Sequence, residues 1–210
     1  MKDHTKLVYI LDDSGSMSSL RGDTIGGFNS FVREQKNIGS NADLTTILFS
    51  APDLYKVLYS DKEINDVVDI SDNEYKANGG STALYDAIGK TINDIGEKLR
   101  LLEEDNRPNK VLIIIHTDGM ENSSKEFSRN DVKTLIDKQK NTYNWEFIFI
   151  SSDLESVKDA QTLGIDLNKT AIFAKGSEGM LRGFSSVANA ASTYRTVSKE
   201  EYGSYTVKAE

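Results

Sequence analysis

The chain has 210 residues, of which 38% are hydrophobic and 28% are charged, and its formal net charge at pH 7 is −8. These values are typical of one globular domain, and the acidic balance disfavours non-specific binding to nucleic acid or to an anionic membrane surface. The chain contains no cysteine, which excludes disulfide bonds and thiolate metal sites.

The first apolar run extends from Leu7 to Leu11 and is followed directly by charged residues. A signal peptide or a membrane-spanning helix needs a longer apolar segment than this. We therefore expect a cytoplasmic protein that does not enter a membrane.

Strand-like and helix-like patterns alternate along the chain. Short apolar runs predict strands, and apolar residues three and four positions apart predict helices. In chain order, the predicted elements are a strand (6–11), a helix (23–36), two strands (44–50 and 55–60), a helix (84–99), a strand (110–117), a helix (128–140), a strand (145–151), a helix (153–163), a strand (170–174) and a helix (177–195). We expect one domain over residues 1–195, followed by a polar C-terminal tail over residues 196–210.

Local signals refine this pattern. A short turn at 51–54 separates the second and third strands, which predicts an antiparallel hairpin. Asp23 or Thr24 is the predicted N-terminal cap of the first helix. Strands that otherwise alternate with helices predict an α/β, doubly wound, mostly parallel sheet with helices on both faces. Ligands of such sheets bind beyond the carboxyl ends of the strands, where the strand order reverses.

Three polar segments follow predicted strands or open predicted helices, and all three supply oxygen atoms. The first segment supplies Asp12, Ser14 and Ser16, the second supplies Thr82, and the third supplies Asp118. Hydroxyl and carboxylate oxygens without nitrogen or sulfur are typical ligands of hard divalent cations. The sequence therefore predicts a Mg²⁺ site, with Mn²⁺ or Ca²⁺ as alternatives.

The charge of this ligand set has a functional implication. Two carboxylates formally neutralise a divalent cation, but the three hydroxyls are neutral, and octahedral coordination leaves a sixth position. If water lies between the cation and a carboxylate, the cation remains electrophilic. It then favours an anionic oxygen from another molecule, such as an Asp or Glu side chain of a protein partner.

The pattern Asp-x-Ser-x-Ser, a Thr in a later Gly-Gly-Ser-Thr segment and a still later Thr-Asp-Gly resembles the von Willebrand factor A (VWA) domain. In this resemblance Asp12, Ser14, Ser16, Thr82 and Asp118 match the family's metal-ion-dependent adhesion site (MIDAS). The resemblance covers about residues 6–195 and implies a six-stranded, Rossmann-like sheet with one antiparallel edge strand. It also implies a divalent cation that binds an acidic residue of a protein partner. Stand-alone bacterial and phage members of the family are the most similar in architecture.

Several neighbouring residues have simpler interpretations than metal binding. Asp13 does not occupy a ligand position of the pattern and is predicted to be a solvated turn residue. His116 lies within an apolar run and is predicted to be a core histidine rather than a ligand. Glu121 and Asn122 could orient Asp118 or a water molecule behind the ligands.

Two other functions remain as alternatives to protein binding. An Mg²⁺-dependent phosphatase-like hydrolase would use Asp12 as its nucleophile, but dehalogenase-type enzymes have a second Asp where this chain has Ser14. The chain also lacks a Gly-x-Ser-x-Gly motif for a serine hydrolase. We therefore expect no enzyme activity. The last alternative is a structural subunit with a vestigial metal site. Whether the chain also associates with itself as a homo-oligomer is left open.

Overall fold

A six-stranded β-sheet forms the centre of the structure, a computed structural model that describes residues 4–52, 54–174 and 176–208. The strands are β1 (His4–Asp12), β2 (Asn41–Ser50), β3 (Leu54–Glu63), β4 (Lys110–Thr117), β5 (Glu146–Ser151) and β6 (Thr170–Ile172). The helices are α1 (Arg21–Lys36), α2 (Leu84–Leu101), α3 (Arg129–Tyr143), α4 (Leu154–Thr162), α5 (Ser177–Thr196) and the short α6 (Lys199–Gly203). Within the described ranges, no helix combines the length and the hydropathy that crossing a membrane requires.

The strand order is β3-β2-β1-β4-β5-β6. The β2–β3 pair is antiparallel and lies at one edge, whereas the other four pairs are parallel. These observations confirm the predicted mostly parallel sheet and the predicted hairpin. From β1 the chain first builds the sheet towards β2 and later towards β4, so the strand order reverses between β1 and β4. Their carboxyl ends are adjacent, since Leu11 is paired with His116.

Alternating side chains of the central strands enter two separate cores. On β1, Leu7 and Tyr9 face the core that packs against α1 and α5, and Val8 and Ile10 face the core that packs against α2, α3 and α4. All four side chains are fully buried. Burial of one such side chain contributes about 1.5–3 kcal/mol, so both faces of the sheet hold their helices firmly.

The start of α1 differs from the prediction. A 3-10 helix (Gly15–Leu20) leads directly into α1, and Leu20 occupies the N-terminal cap position without a side-chain hydrogen bond. The predicted cap at Asp23 or Thr24 is therefore wrong. Asp23 instead lies in the first helical turn, where its charge is favourable to the helix dipole, and Thr24 is buried.

A lysine at the start of β4 holds the end of α5. The amine of Lys110 donates hydrogen bonds to the carbonyl oxygens of Tyr194 at 2.9 Å, Arg195 at 3.2 Å and Val197 at 2.8 Å. The last carbonyls of a helix have no partner within the helix, and a cation is favourable there. Lys110 therefore fastens the last long helix to a central strand.

The residues after α5 fold back onto the sheet edge. Tyr202 and Val207 are buried, and the amide of Val207 donates to the carbonyl of Asn168 at 2.8 Å. The amine of Lys169 donates to the carbonyl oxygens of Tyr202 at 2.8 Å and Tyr205 at 2.5 Å. These contacts attach the segment from α6 to residue 207 next to β6.

Candidate metal centre

The candidate site lies at the carboxyl ends of β1 and β4, where the strand order reverses. Asp12 is the last residue of β1, and Asp118 follows the last residue of β4. Ser14 and Ser16 lie at the beginning of the 3-10 helix, and Thr82 lies two residues before α2. Parallel packing of β1 and β4 thus brings together residues that are about a hundred positions apart in the chain.

Hydrogen bonds connect four of the five predicted ligands. The backbone amide of Ser14 donates to Oδ1 of Asp12 at 2.8 Å. The hydroxyl oxygens of Ser14 and Ser16 are 3.0 Å apart, and the Ser16 hydroxyl donates to Oδ1 of Asp118 at 2.6 Å. The two carboxylates are therefore linked through the backbone amide of Ser14 and the hydroxyls of Ser14 and Ser16.

Thr82 reaches the same place from the start of α2. A carbon placed at the Cβ position of Gly119 would be 3.2 Å from Oγ1 of Thr82 and 3.8 Å from Oγ of Ser16. Both hydroxyls thus border the space next to Gly119, so the structure brings all five predicted residues together. Thr82 is held by a reciprocal pair of bonds, because its amide donates to Oδ1 of Asn122 at 3.0 Å and its carbonyl accepts from the Asn122 amide at 3.1 Å.

The glycine-rich loop before Thr82 is bonded to the end of β1. The amide of Gly79 donates to the carbonyl of Asp13 at 2.9 Å, and the amide of Gly15 donates to the carbonyl of Gly80 at 3.2 Å. A Cβ on Gly79 would approach Oγ of Ser50 to 2.0 Å, which no side chain could tolerate without movement. The close approach of backbone to backbone explains why glycine occupies this position.

The prediction that Asp13 is a solvated turn residue is wrong. Its side chain is 5% exposed, and its Oδ1 accepts hydrogen bonds from the amides of Lys76 at 3.2 Å and Ala77 at 2.6 Å. Burial raises the pKa of Asp13, and these two hydrogen bonds oppose that change. Asp13 therefore anchors the loop that precedes Gly79, a partnership 64 positions away that no local pattern indicated.

Two residues that sequence analysis did not single out support Asp12. The hydroxyl of Thr117 donates to Oδ2 of Asp12 at 2.5 Å, and the hydroxyl of Tyr75 donates to the Asp12 carbonyl at 2.8 Å. Thr117 also accepts from the amide of Gly119 at 3.1 Å. One feature of the sequence could have indicated this role of Thr117, because it is a polar residue at the end of the most apolar strand.

Glu121 and Asn122 direct their hydrogen bonds to the beginning of α2 rather than to Asp118. Oε2 of Glu121 accepts from the amide of Tyr85 at 2.9 Å, and Oε1 accepts from the amides of Ser123 and Ser124, both at 2.8 Å. Carboxylates are favourable at helix N-termini, where amides lack partners. These two residues thus fix the position of α2 and, through it, of Thr82.

Asp12 is a buried carboxylate without a cationic partner. Burial raises its pKa to about 6, against the opposing hydrogen bonds from Thr117 and Ser14, and the nearby charge of Asp118 adds to the increase. No Lys, Arg or His among the described residues forms an ion pair with Asp12 or Asp118. A buried carboxylate in this situation gains stability from a bound cation, which supplies the missing charge.

The donor set fits a hard cation that accepts hydroxyl ligands. In the part of the chain that the structure describes, no three His, Cys, Asp or Glu side chains cluster as a metal site, so two carboxylates and three hydroxyls are what this position offers. His116 is buried, as predicted for a core histidine, with Nδ1 3.0 Å from the Tyr9 hydroxyl. Burial lowers the pKa of His116 to about 3, so the ring stays neutral.

No protein-family model and no curated protein sequence matches the chain. Solved structures do match. Proximal thread matrix protein 1 (PTMP1) from the mussel byssus, in its second crystal form, aligns with a TM-score of 0.63 and 14% identity over 91% of this chain and 49% of that chain. A second PTMP1 structure, described as having a zinc-occupied MIDAS motif, aligns with a TM-score of 0.63 and 15% identity over 91% of this chain and 48% of that chain.

Two bacterial proteins match similarly. The pilus adhesin SpaC from Lactobacillus rhamnosus GG, in an open conformation, aligns with a TM-score of 0.65 and 14% identity over 92% of this chain and 30% of that chain. A von Willebrand factor type A protein from Catenulispora acidiphila aligns with a TM-score of 0.56 and 14% identity over 91% of this chain and 43% of that chain. The chain thus spans less than half of the length of each of these structures. Together with the strand order, these similarities show that the chain has the VWA fold.

Proposed function

We propose that the protein is a metal-dependent protein-binding module. Asp12, Ser14, Ser16, Thr82 and Asp118 hold Mg²⁺, with Mn²⁺ or Ca²⁺ as alternatives, and the cation binds an Asp or Glu side chain of a protein partner. The observation that carries this proposal is the buried Asp12 carboxylate, which has no cationic partner among the described residues and is hydrogen-bonded into a group of hydroxyls.

Each residue has a defined task in this proposal. Asp12 and Asp118 supply negative charge, and the three hydroxyls supply neutral oxygen ligands. Thr117 holds the Asp12 carboxylate in place through its 2.5 Å hydrogen bond. When bound, the cation supplies a positive charge that attracts an external carboxylate. The segments 17–22, 79–82 and 119–127 adjoin the proposed ligands in the chain and would determine which partner fits.

The surroundings of Asp12 favour binding over catalysis. A nucleophilic carboxylate must approach the substrate with a free oxygen. Asp12 is fully buried, with Oδ1 accepting from the amide of Ser14 and Oδ2 accepting from the hydroxyl of Thr117. Its geometry suits a residue that compensates a cation, and we propose that the protein is not an enzyme.

The descriptions of two structural neighbours are consistent with this proposal. SpaC is described as a pilus adhesin, and a PTMP1 structure is described as having a zinc-occupied MIDAS motif. Proteins with this fold thus include an adhesin and a protein that holds a divalent metal. Because the donor set here contains only oxygen, we favour Mg²⁺, and zinc belongs in the test as a comparison.

Metal binding is tested by unfolding experiments with EDTA, Mg²⁺, Mn²⁺, Ca²⁺ or Zn²⁺. A cation at a hundredfold excess over its Kd should stabilise the wild type by about 2.7 kcal/mol. The double variant Ser14→Ala/Ser16→Ala should lose this increment. The matched control, Ser18→Ala/Ser19→Ala, changes two exposed serines of the same 3-10 helix and should keep it.

Partner binding is tested by affinity capture from a cell extract with the wild type and Asp12→Ala. Proteins that the wild type captures with Mg²⁺, but not with EDTA, and that Asp12→Ala fails to capture would support the proposal. Removing a buried charged contact typically costs about 2–5 kcal/mol of binding free energy. Equal recovery with Mg²⁺ and with EDTA would contradict a role of the metal in binding.

A further inference from the structure

A cleft of about 450 Å³ lies at the opposite end of the sheet from the metal centre. Its walls are the second half of α2 and the second half of α3, and its base is formed by the amino ends of β4 and β5. This volume lies within the range of sites for small organic molecules, about 300–1,000 Å³. The cleft therefore has room for a ligand much larger than an ion.

The base of the cleft is apolar and includes the indole of Trp145, and the exposed ring of Tyr143 also lines the cleft. Ile92, Val111 and Trp145 line it and are at least 96% buried, because their exposed fractions are 0%, 4% and 4%. The cleft extends over Gly96 of α2, where an added Cβ would have only Nε2 of Gln139 within 4 Å, at 3.7 Å. A flat apolar group would find space beside α2, with Trp145 and Tyr143 among its neighbours.

Two buried polar groups point into the cleft without a partner. The carboxamide of Gln139, which is 7% exposed, and the indole N–H of Trp145 form no hydrogen bond with any described residue. Neither polar group is completely enclosed by protein atoms, so both remain accessible from the cleft. Buried polar groups normally have a hydrogen-bond partner. The indole N–H is only a donor, which requires an acceptor on the ligand.

The rim of the cleft is cationic although the chain is acidic. Among the described residues that line it, Arg100, Arg107 and Lys138 are cationic and Glu97 is the one carboxylate, whereas the whole chain has a formal net charge of −8. Glu97 accepts two hydrogen bonds from Arg100, at 2.9 and 2.6 Å, so Arg107 and Lys138 carry the uncompensated charge of the rim. Arg107 is held by hydrogen bonds from its Nε to the carbonyl of Leu102 at 3.1 Å and from its Nη2 to the carbonyl of Arg100 at 3.3 Å. The amine of Lys138 has no ion pair among the described residues. Such a rim attracts an anion.

We propose that this cleft is a binding site for a small organic anion with a flat apolar body, such as an aromatic carboxylate, sulfonate or phosphate. The apolar body lies next to Trp145 and over Gly96, and the anionic group lies near Lys138 and Arg107. Gln139 and the indole N–H of Trp145 supply hydrogen bonds. The proposal is independent of the metal centre, which lies at the other end of the sheet.

Trp145 is the only tryptophan of the chain, so tryptophan fluorescence reports directly on binding at this cleft. The probe is 8-anilinonaphthalene-1-sulfonate, and the matched neutral probe is N-phenyl-1-naphthylamine, which lacks the sulfonate. Selective excitation of Trp145 should give energy transfer to the bound sulfonate probe. The neutral probe should bind roughly tenfold more weakly, because it cannot make the charge contact that the sulfonate makes with the rim.

Two glycine variants locate the probe. Gly96→Leu fills the cleft and should abolish the energy transfer, whereas Gly26→Leu, placed in α1 with nothing within 4 Å of the added Cβ, should leave it unchanged. Lys138→Gln should weaken the sulfonate probe severalfold, but Lys133→Gln on an exposed part of α3 should not. Retained binding in Gly96→Leu, or equal affinity for both probes, would overturn the proposal. Thermal unfolding of each variant verifies that it is folded.

Discussion

Ser16 donates a 2.6 Å hydrogen bond to Asp118, although 102 positions separate the two residues. This hydrogen bond joins the segment after β1 to the loop after β4. Within the segment after β1, the hydroxyl of Ser14 contacts that of Ser16 and continues the network. Four of the five residues of the proposed metal site are therefore already connected by hydrogen bonds. A site arranged in this way loses little conformational freedom when a cation binds, which favours affinity.

Asp12→Asn should stabilise the metal-free protein. The pKa of Asp12 is raised to about 6 by burial, so keeping this group ionised in the folded state at pH 7 costs on the order of 3 kcal/mol. An amide in its place can accept from Ser14 and donate to Thr117 without that cost. The cost for the wild type disappears as the pH falls from 7 to below 4, because the folded carboxyl then takes up its proton. Urea unfolding with EDTA at several pH values measures this.

The same Asp12→Asn variant should lose the stabilisation that Mg²⁺ gives the wild type. A variant that is clearly less stable than the wild type in EDTA, and that still gains stability from Mg²⁺, would contradict the role assigned to Asp12. Asp72→Asn, which changes a carboxylate that is exposed on the surface, is the control for removal of a negative charge.

Gly119→Ala should weaken cation binding without unfolding the protein. The added carbon would lie 3.2 Å from Oγ1 of Thr82, a tight contact at the edge of the proposed coordination site. We expect a loss of about tenfold in affinity, equivalent to about 1.4 kcal/mol. Calorimetric titration with Mg²⁺ measures the affinity, and Gly22→Ala, with open space around its Cβ, is the control. Unchanged affinity in Gly119→Ala would place the cation elsewhere.

Asp13→Ala should destabilise the loop that leads to Thr82. The change leaves the amides of Lys76 and Ala77 without their acceptor, and the loss at the buried Ala77 amide costs about 1–3 kcal/mol of unfolding free energy. Hydrogen exchange at the Ala77 amide should accelerate. The exposed Asp72 serves again as the control site, and Asp72→Ala should change stability by less than about 0.5 kcal/mol. Equal stability of the two variants would contradict the anchoring role of Asp13.

His116 should make the folded protein less stable in mild acid. The folded ring, with its pKa lowered to about 3, stays neutral while the unfolded ring takes up a proton near its usual pKa of about 6.5. Stability is therefore lost as the pH falls from 6.5 towards 3, by about 2 kcal/mol between pH 7 and pH 5. His116→Gln should remove this part of the pH dependence. Urea unfolding at both pH values, with EDTA present, compares the two proteins.

The sequence predicted the elements that have strong periodicity. The apolar run at 110–117 coincides with β4, and the hairpin at 44–60 lies within β2 and β3. The site residues followed from the same reasoning, since Asp12 and Asp118 both terminate adjacent parallel strands. Hydrophobic pattern and strand adjacency are properties that a single sequence carries.

Contacts between distant polar residues were not predictable in the same way. Residues 15–20 have no regular apolar spacing, so the 3-10 helix that carries Ser16 was missed. The role of Asp13 depends on amides more than 60 positions away, and Leu20 opens α1 without any capping side chain. In each case the local residue preferences do not determine the outcome, because tertiary packing overrides them.

Lys110 connects the end of α5 mechanically to β4, a central strand of the sheet. Its amine donates hydrogen bonds to the end of α5, so tension applied at that helix end is transmitted to β4, the strand that leads to Asp118. β4 is hydrogen-bonded along its length to β1 on one side and to β5 on the other, so it bears such a load in shear. A force applied at the end of α5 is therefore transmitted to the middle of the sheet, whereas a force applied beyond α6 first loads the contacts of Lys169 and Val207 next to β6.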